Sequence, residues 1–176
     1  MNTLDAISKR KSTRAYRPEQ ISEEALSVII KAGCAAPVAM AKYETLHITV
    51  IQKESILKRI NEMTSEMFFQ KMGIRKNTDF GAKTMILVSS AHSILSPEME
   101  YVNVGIVVEN MVIAATDMGI DSVVVGGAPA IIAENEDMIK ELGIPEGFKP
   151  VLGAFFGYST VDEPAKDHSI TVNVLK

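Results

Sequence analysis

No part of this 176-residue chain restricts its fold as strongly as residues 98–118. Val102, Val104, Ile106, Val107 and Val108 lend the segment the β-branched character of a strand. Its ends argue otherwise. Ser96-Pro97-Glu98 offers an N-cap, a proline at the first helical position and an early acid, and Gly119 closes the far end. The pattern predicts one long helix. Because it is apolar nearly all round, that helix must be buried on most sides. It either runs through the middle of the domain or faces a partner subunit.

Around it, helix and strand signals alternate. Thr3-Leu4-Asp5-Ala6-Ile7 reads as a short capped helix. Ser22 precedes Glu23 and Glu24, an N-cap with acids in the first turn; Leu26, Ile29 and Ile30 follow at helical spacing, with Gly33 as the expected terminator. Residues 46–51 alternate and are β-branched, as in a strand. Ile56, Ile60, Met63 and Met67 line one face of a further helix. Thr84-Met85-Ile86-Leu87-Val88 is a continuous apolar run, as in a strand buried on both faces. Residues 121–125 read as a strand entering Gly126-Gly127, a helical stretch is expected from Pro129 to Leu142-Gly143, and residues 151–158 read as a strand. Residues 170–174 alternate like one more strand. Interleaving of this kind implies layers, α/β or α+β.

Hydrophobic residues make up 47% of the chain and charged residues 23%, an ordinary globular balance, and one domain over residues 1–176 is expected. No run is apolar for long enough to span a bilayer, and the first residues lack the pattern of a secretory signal. Cys34 is the one cysteine, so no internal disulfide is possible and a reducing, cytoplasmic setting is expected. Set beside Ala35 and Ala36 at a helix end, it reads as inert core packing.

Against a formal net charge of -4, Lys9-Arg10-Lys11-Ser12-Thr13-Arg14 concentrates positive charge and hydroxyls. Arginine offers a planar fork for phosphate oxygens, lysine a point charge, and serine and threonine further donors. Charge alone does not separate an anion site from a solvated basic patch. A general nucleic-acid binder is disfavoured, because that needs a broad basic face. His47, His92, His168 and Cys34 are scattered, so no metal site is expected. No nucleophile elbow or Walker-type phosphate loop occurs. Gly126-Gly127-Ala128-Pro129 is either a tight strand-to-helix turn or a place where backbone N–H groups meet a planar ring or an anion. With Lys166-Asp167-His168, the basic cluster and the glycine turn could converge on one phosphorylated ligand.

The order of these pieces resembles the nitroreductase family of FMN-dependent oxidoreductases. Arg10-Lys11-Ser12-Thr13-Arg14-Ala15-Tyr16 matches the family's Arg-x-Ser-x-Arg-x-aromatic opening. Val104-Gly105 through Glu109-Asn110 to Gly119-Ile120 is similar to its long central helix and following turn. Val123-Val124-Val125-Gly126-Gly127 is similar to its strand and glycine pair, and Ile144-Pro145-Glu146-Gly147-Phe148-Lys149-Pro150 with Gly157-Tyr158 to its closing pattern. The resemblance implies an α+β, three-layer α/β/α sandwich with a mixed, mainly antiparallel sheet, in an intertwined homodimer that exchanges the C-terminal strand.

It also implies roles. Arg10, Lys11 and Ser12 would grip the FMN phosphate and ribityl chain, and Arg14 the ring. Gly126 and Gly127 would lie against the isoalloxazine, and Lys166 and His168 would add basic contacts to the phosphate. Met40, Tyr43, Phe68 and Phe69 would line the acceptor pocket, with core packing an equal reading for the two phenylalanines. Hydride would pass from NADH or NADPH to the flavin, and after product release to a small flat acceptor such as a nitroaromatic or quinone. No catalytic protein acid or base is required, because the flavin carries the chemistry. This is a short member of the family. After Pro37 it has Val38-Ala39-Met40-Ala41-Lys42-Tyr43-Glu44 instead of the family's Asn and Gln-Pro-Trp. His168 stands where an arginine is common. The altered loop keeps open a second reading, an FMN-binding carrier or sensor without turnover. Arg75 and Lys76 read as a solvated loop more readily than as flavin contacts.

Overall fold

The computed structural model describes residues 1–92, 98–162, 164–165 and 168–176. Four strands, β1 (Leu46–Ile51), β2 (Thr84–Ala91), β3 (Asp121–Val125) and β4 (Phe148–Gly157), form one sheet in the order β1-β2-β4-β3. All three neighbouring pairs are antiparallel. The mixed character expected of the sheet is confined, among the described residues, to a parallel bridge between Ser12 and Ser122 on the outer edge of β3.

Among the described residues six α-helices cover the two faces: α1 (Thr3–Lys9), α2 (Glu23–Cys34), α3 (Glu54–Met72), α4 (Met99–Asp117), α5 (Gly127–Ala133) and α6 (Glu136–Glu141). The alternation of strand side chains sorts them into two cores. Ile86 and Val88 of β2 join Ala154 and Phe156 of β4 against α2 and α4. Met85 and Leu87, with Val123 and Phe155, face α3, α5 and α6. The result is the expected α/β/α sandwich, an α+β fold.

Helix α4 forms despite its valines because its buried side chains recur at helical spacing. Asn103 and Val104, Val107 and Val108, Met111 and Val112, and Ala115 make one stripe against the sheet and α2. Its first turn is open in a single chain, with Tyr101 61% and Val102 48% exposed. The helix therefore lies across one face and does not thread the middle. Its expected cap at Ser96-Pro97 lies outside the described residues; the helix begins after Glu98.

Several expectations are corrected. Gly33 does not end α2 but packs under α4, where a Cβ would stand 2.3 Å from Met111 Cε. Cys34 is exposed, not core, since the buried face of α2 carries Leu26, Ile29 and Gly33. The stretch expected from Pro129 to Gly143 is two helices, because Asn135 accepts the Met138 N–H and caps a second start. The tail is expected to pair only as a strand exchanged between two copies, and in the single chain residues 168–176 form no strand, with Ile170, Val172 and Val174 88%, 76% and 66% exposed. Alternation supplies a strand's side-chain pattern, but only a neighbouring backbone can supply its hydrogen bonds.

Candidate functional site

The basic segment leaves α1 when the Arg10 N–H closes the last turn on the Ala6 carbonyl. It then runs along the outer edge of the sheet. Thr13 N–H donates to Ser122 O at 2.9 Å, Tyr16 N–H to Phe80 O at 3.0 Å, and Arg17 N–H to Tyr158 O at 2.8 Å. The return contact is Thr160 N–H to Ala15 O at 3.1 Å. Within this run Thr13 and Tyr16 are buried, whereas Ser12 and Arg14 are exposed. Tyr16 fills the space over Gly157, where a Cβ would come within 3.0 Å of its ring. Burial, and after it the nearby Asp121 carboxylate, hold the Tyr16 phenol well above its usual range.

Arg14 borders two of the clefts beside this segment. One, of 260 Å³, is lined by Lys11, Ser12, Thr13, Arg14 and Ser159. The other, of 200 Å³, lies between β3, the start of α5 and the end of α3, with Gly126, Gly127, Phe68, Phe80 and Lys76 in its wall. Arg14 lines both. Among the described residues the lining of the second cleft includes no carboxylate, and its Arg14 and Lys76 make the field there positive.

Backbone conformation does not account for the glycine pair. Gly126 has φ -104°, which any residue adopts, and nothing lies within 4 Å of the Cβ it lacks. Gly127 does not stand among the positive-φ glycines, and its Cβ would make only ordinary contacts, the nearest at 3.5 Å. The turn does not need glycine. The space the missing side chain leaves at Gly126 is open, beside a cleft whose wall is cationic and aromatic.

The remaining site residues divide. Phe68 lines the second cleft, with Lys76 Nζ 3.8 Å above its ring. Phe69 is 39% exposed under Arg75, whose guanidinium carbon lies 4.4 Å from the ring centroid. Arg75 stands outside the cleft and pairs with Glu66 at 2.5 Å. The Glu66 carboxyl sits below its usual range, chiefly through the bond from Gln70 and then through Arg75. Arg10 is half-buried and lines neither cleft. His168 is exposed in the tail, and Lys166 lies outside the described residues.

Met40 and Tyr43 are not brought to Phe68 within one chain. Tyr43 OH donates to Ala36 O at 3.2 Å, and Asn103 Oδ1 accepts the Ala39 N–H at 3.0 Å. Both bonds tie the loop to the α2/α4 side, opposite α3. Met40 is 72% exposed on a left-handed turn, with φ 57° followed by φ 54° at Ala41. Sequence reasoning missed Thr64, Thr78, Phe80 and Ser159 in the cleft walls; Lys76 is the exposed loop residue it was read as, and it also borders the second cleft. A lysine four residues beyond a helix end carries no local sign of the cavity it borders.

The model of the nitroreductase family matches residues 7–158. The chain is 25% identical, over 94% of its length, to a Staphylococcus haemolyticus (strain JCSC1435) protein named NADPH-dependent oxidoreductase. It is 24% identical, over 89% of its length, to the NADPH-flavin oxidoreductase of Vibrio harveyi. It spans 66% and 65% of those two relatives, just under two thirds of each. A solved nitroreductase with bound FMN from Bacteroides fragilis NCTC 9343 aligns over 100% of both chains with a TM-score of 0.87 and 26% identity. With its motifs in order, its α/β/α layers and a family match over most of its length, this chain belongs to the nitroreductase family.

Proposed function

We propose that the protein binds FMN across the two clefts and works as an oxidoreductase between NADH or NADPH and a small flat acceptor such as a nitroaromatic or quinone. The observation that carries this reading is the open space at Gly126, on a turn with no conformational need for glycine, beside a cationic and aromatic cleft. Bound FMN would supply the hydride chemistry. Lys11, Ser12 and Arg14 would hold its phosphate and ribityl chain in the 260 Å³ cleft, with Arg10 adding long-range charge. The isoalloxazine would lie in the 200 Å³ cleft, over Gly126 and Gly127 and beside Phe68. Arg14 and Lys76 place positive charge there, which favours a ring carrying extra negative charge. Phe68 and Phe80 exclude water from one side of the cleft. The names of the Staphylococcus and Vibrio relatives and the FMN of the Bacteroides structure support the same reading.

A homodimer is part of the proposal. The exposed start of α4 and the exposed apolar tail both call for a partner surface, and a second copy would bring Met40, Tyr43 and His168, which line neither cleft in their own chain, to the flavin, with Lys166 as a further basic contact. No helix among the described residues is long and apolar enough to cross a membrane. The test is direct. Purified protein should be yellow, release FMN on denaturation and bleach with a reduced nicotinamide nucleotide, with reoxidation by a nitroaromatic or quinone. Yellow protein that neither nucleotide reduces would favour the carrier or sensor reading, which rests on the altered Met40 loop. Colourless protein that FMN does not reconstitute would defeat both.

A further inference from the structure

Thr13 is 5% exposed inside a run of cations, and its neighbours Ser12 and Arg14 are exposed. In an extended segment successive side chains point to opposite sides. Whatever holds Thr13 inward therefore also turns Ser12 and Arg14 outward, toward the clefts. The group that holds it is Asp121, the first residue of β3. Thr13 Oγ1 donates to Asp121 Oδ1 at 3.2 Å, and the Ser159 backbone N–H donates to Asp121 Oδ2 at 3.1 Å. One carboxylate thus uses both oxygens to join three segments: the basic run, β3 and the chain leaving β4. Ser159 lines the 260 Å³ cleft, so both of its partners border the site. Asp121 also opens on a 710 Å³ cavity with Lys9, Lys11 and Arg17 in its wall, where its charge offsets their mutual repulsion.

We propose that Asp121 is a positioning residue for the cofactor site, acting through Thr13 to keep Arg14 and Ser12 turned into the clefts. The ligand in this inference rests on the FMN reading; the clamp does not. Asparagine separates geometry from charge. Its carbonyl can accept the Ser159 N–H while its amide donates to the Thr13 hydroxyl, so Asp121→Asn keeps both contacts and loses only the charge. Asp121→Ala loses both contacts.

The test is FMN titration of the apoprotein by flavin fluorescence, alongside amide hydrogen exchange at Thr13 without cofactor. Asp121→Ala should weaken FMN binding at least tenfold, Asp121→Asn less than threefold, and Thr13→Val three- to tenfold. Adding Thr13→Val to Asp121→Ala should cost less than a further twofold, because both act through one contact. Exchange at the Thr13 amide should speed up in Asp121→Ala and stay near wild type in Asp121→Asn. Wild-type FMN affinity in Asp121→Ala, equal losses in the alanine and asparagine variants, or losses that multiply in the double variant would each overturn the proposal. Should Asp121→Ala not fold, wild-type affinity in Thr13→Val overturns it. If the wild-type protein binds no FMN, the cofactor reading fails, and unchanged Thr13 exchange in Asp121→Ala, or in Thr13→Val if the alanine variant does not fold, still overturns the clamp.

Discussion

Gly126→Ala separates what the fold needs from what the proposed ligand needs. In the free protein the new methyl group meets nothing within 4 Å, and φ of -104° suits alanine. Two small effects oppose one another. Alanine restricts the unfolded chain, which stabilises by about 0.4–1 kcal/mol. At the residue preceding a helix it is a poorer cap, which costs several tenths of a kcal/mol. The net change in stability stays within about 1 kcal/mol, or roughly 2–4 °C in melting temperature for a chain of this size. Against a bound flavin the same methyl group would occupy the space proposed for the ring. Overpacking of that order costs about 1–3 kcal/mol, which is roughly 5- to 150-fold in affinity. The assay is a thermal melt of the apoprotein beside an FMN titration of the same sample. A melting temperature that falls by many degrees while FMN affinity holds would refute the reasoning, because the turn would then need its glycine.

Arg14→Ala should weaken FMN binding about tenfold or more, the 1.5–3 kcal/mol of a charge-assisted bond, whereas Arg10→Ala should cost less, since Arg10 lines neither cleft; parallel titrations of the two variants check the order. Gly33→Ala forces a methyl group to 2.3 Å from Met111 Cε and should destabilise by about 1–3 kcal/mol, read as a lower denaturation midpoint, with FMN affinity unchanged. Tyr16 has its folded pKa raised above its unfolded value, so its contribution is intact below about pH 10 and declines above it. Wild-type stability should lose about 1.4 kcal/mol per pH unit from this residue in that range, and denaturation curves at rising pH should show that slope removed in Tyr16→Phe.

The family motif and the layer order were legible in the sequence because both rest on neighbouring residues. Ser22 caps α2 and accepts the Ala25 N–H, as its position ahead of two glutamates implied. The apolar run at 84–88 is the buried centre of β2, and the stripe from Asn103 to Ala115 is the buried side of α4. The same local logic failed where a residue's role was decided elsewhere. Gly33 reads as a helix stop until Met111 is laid over it. Cys34 reads as core until the buried face of α2 is seen to carry its neighbours.

What the sequence by itself determined was the set of candidates for the proposed site: cations, hydroxyls and a glycine pair suited to a phosphorylated, planar ligand. What only the tertiary structure decided was which members face it. Thr13 turns inward because of a carboxylate 108 residues away, and Arg14 in consequence borders both clefts while Arg10 borders neither. Lys76 joins the wall because α3 ends beside β3 and the glycine turn. Periodicity and capping act over a few residues, so a sequence displays them directly. The direction of a single side chain depends on contacts closed across the whole chain, and those exist only once the sheet has formed.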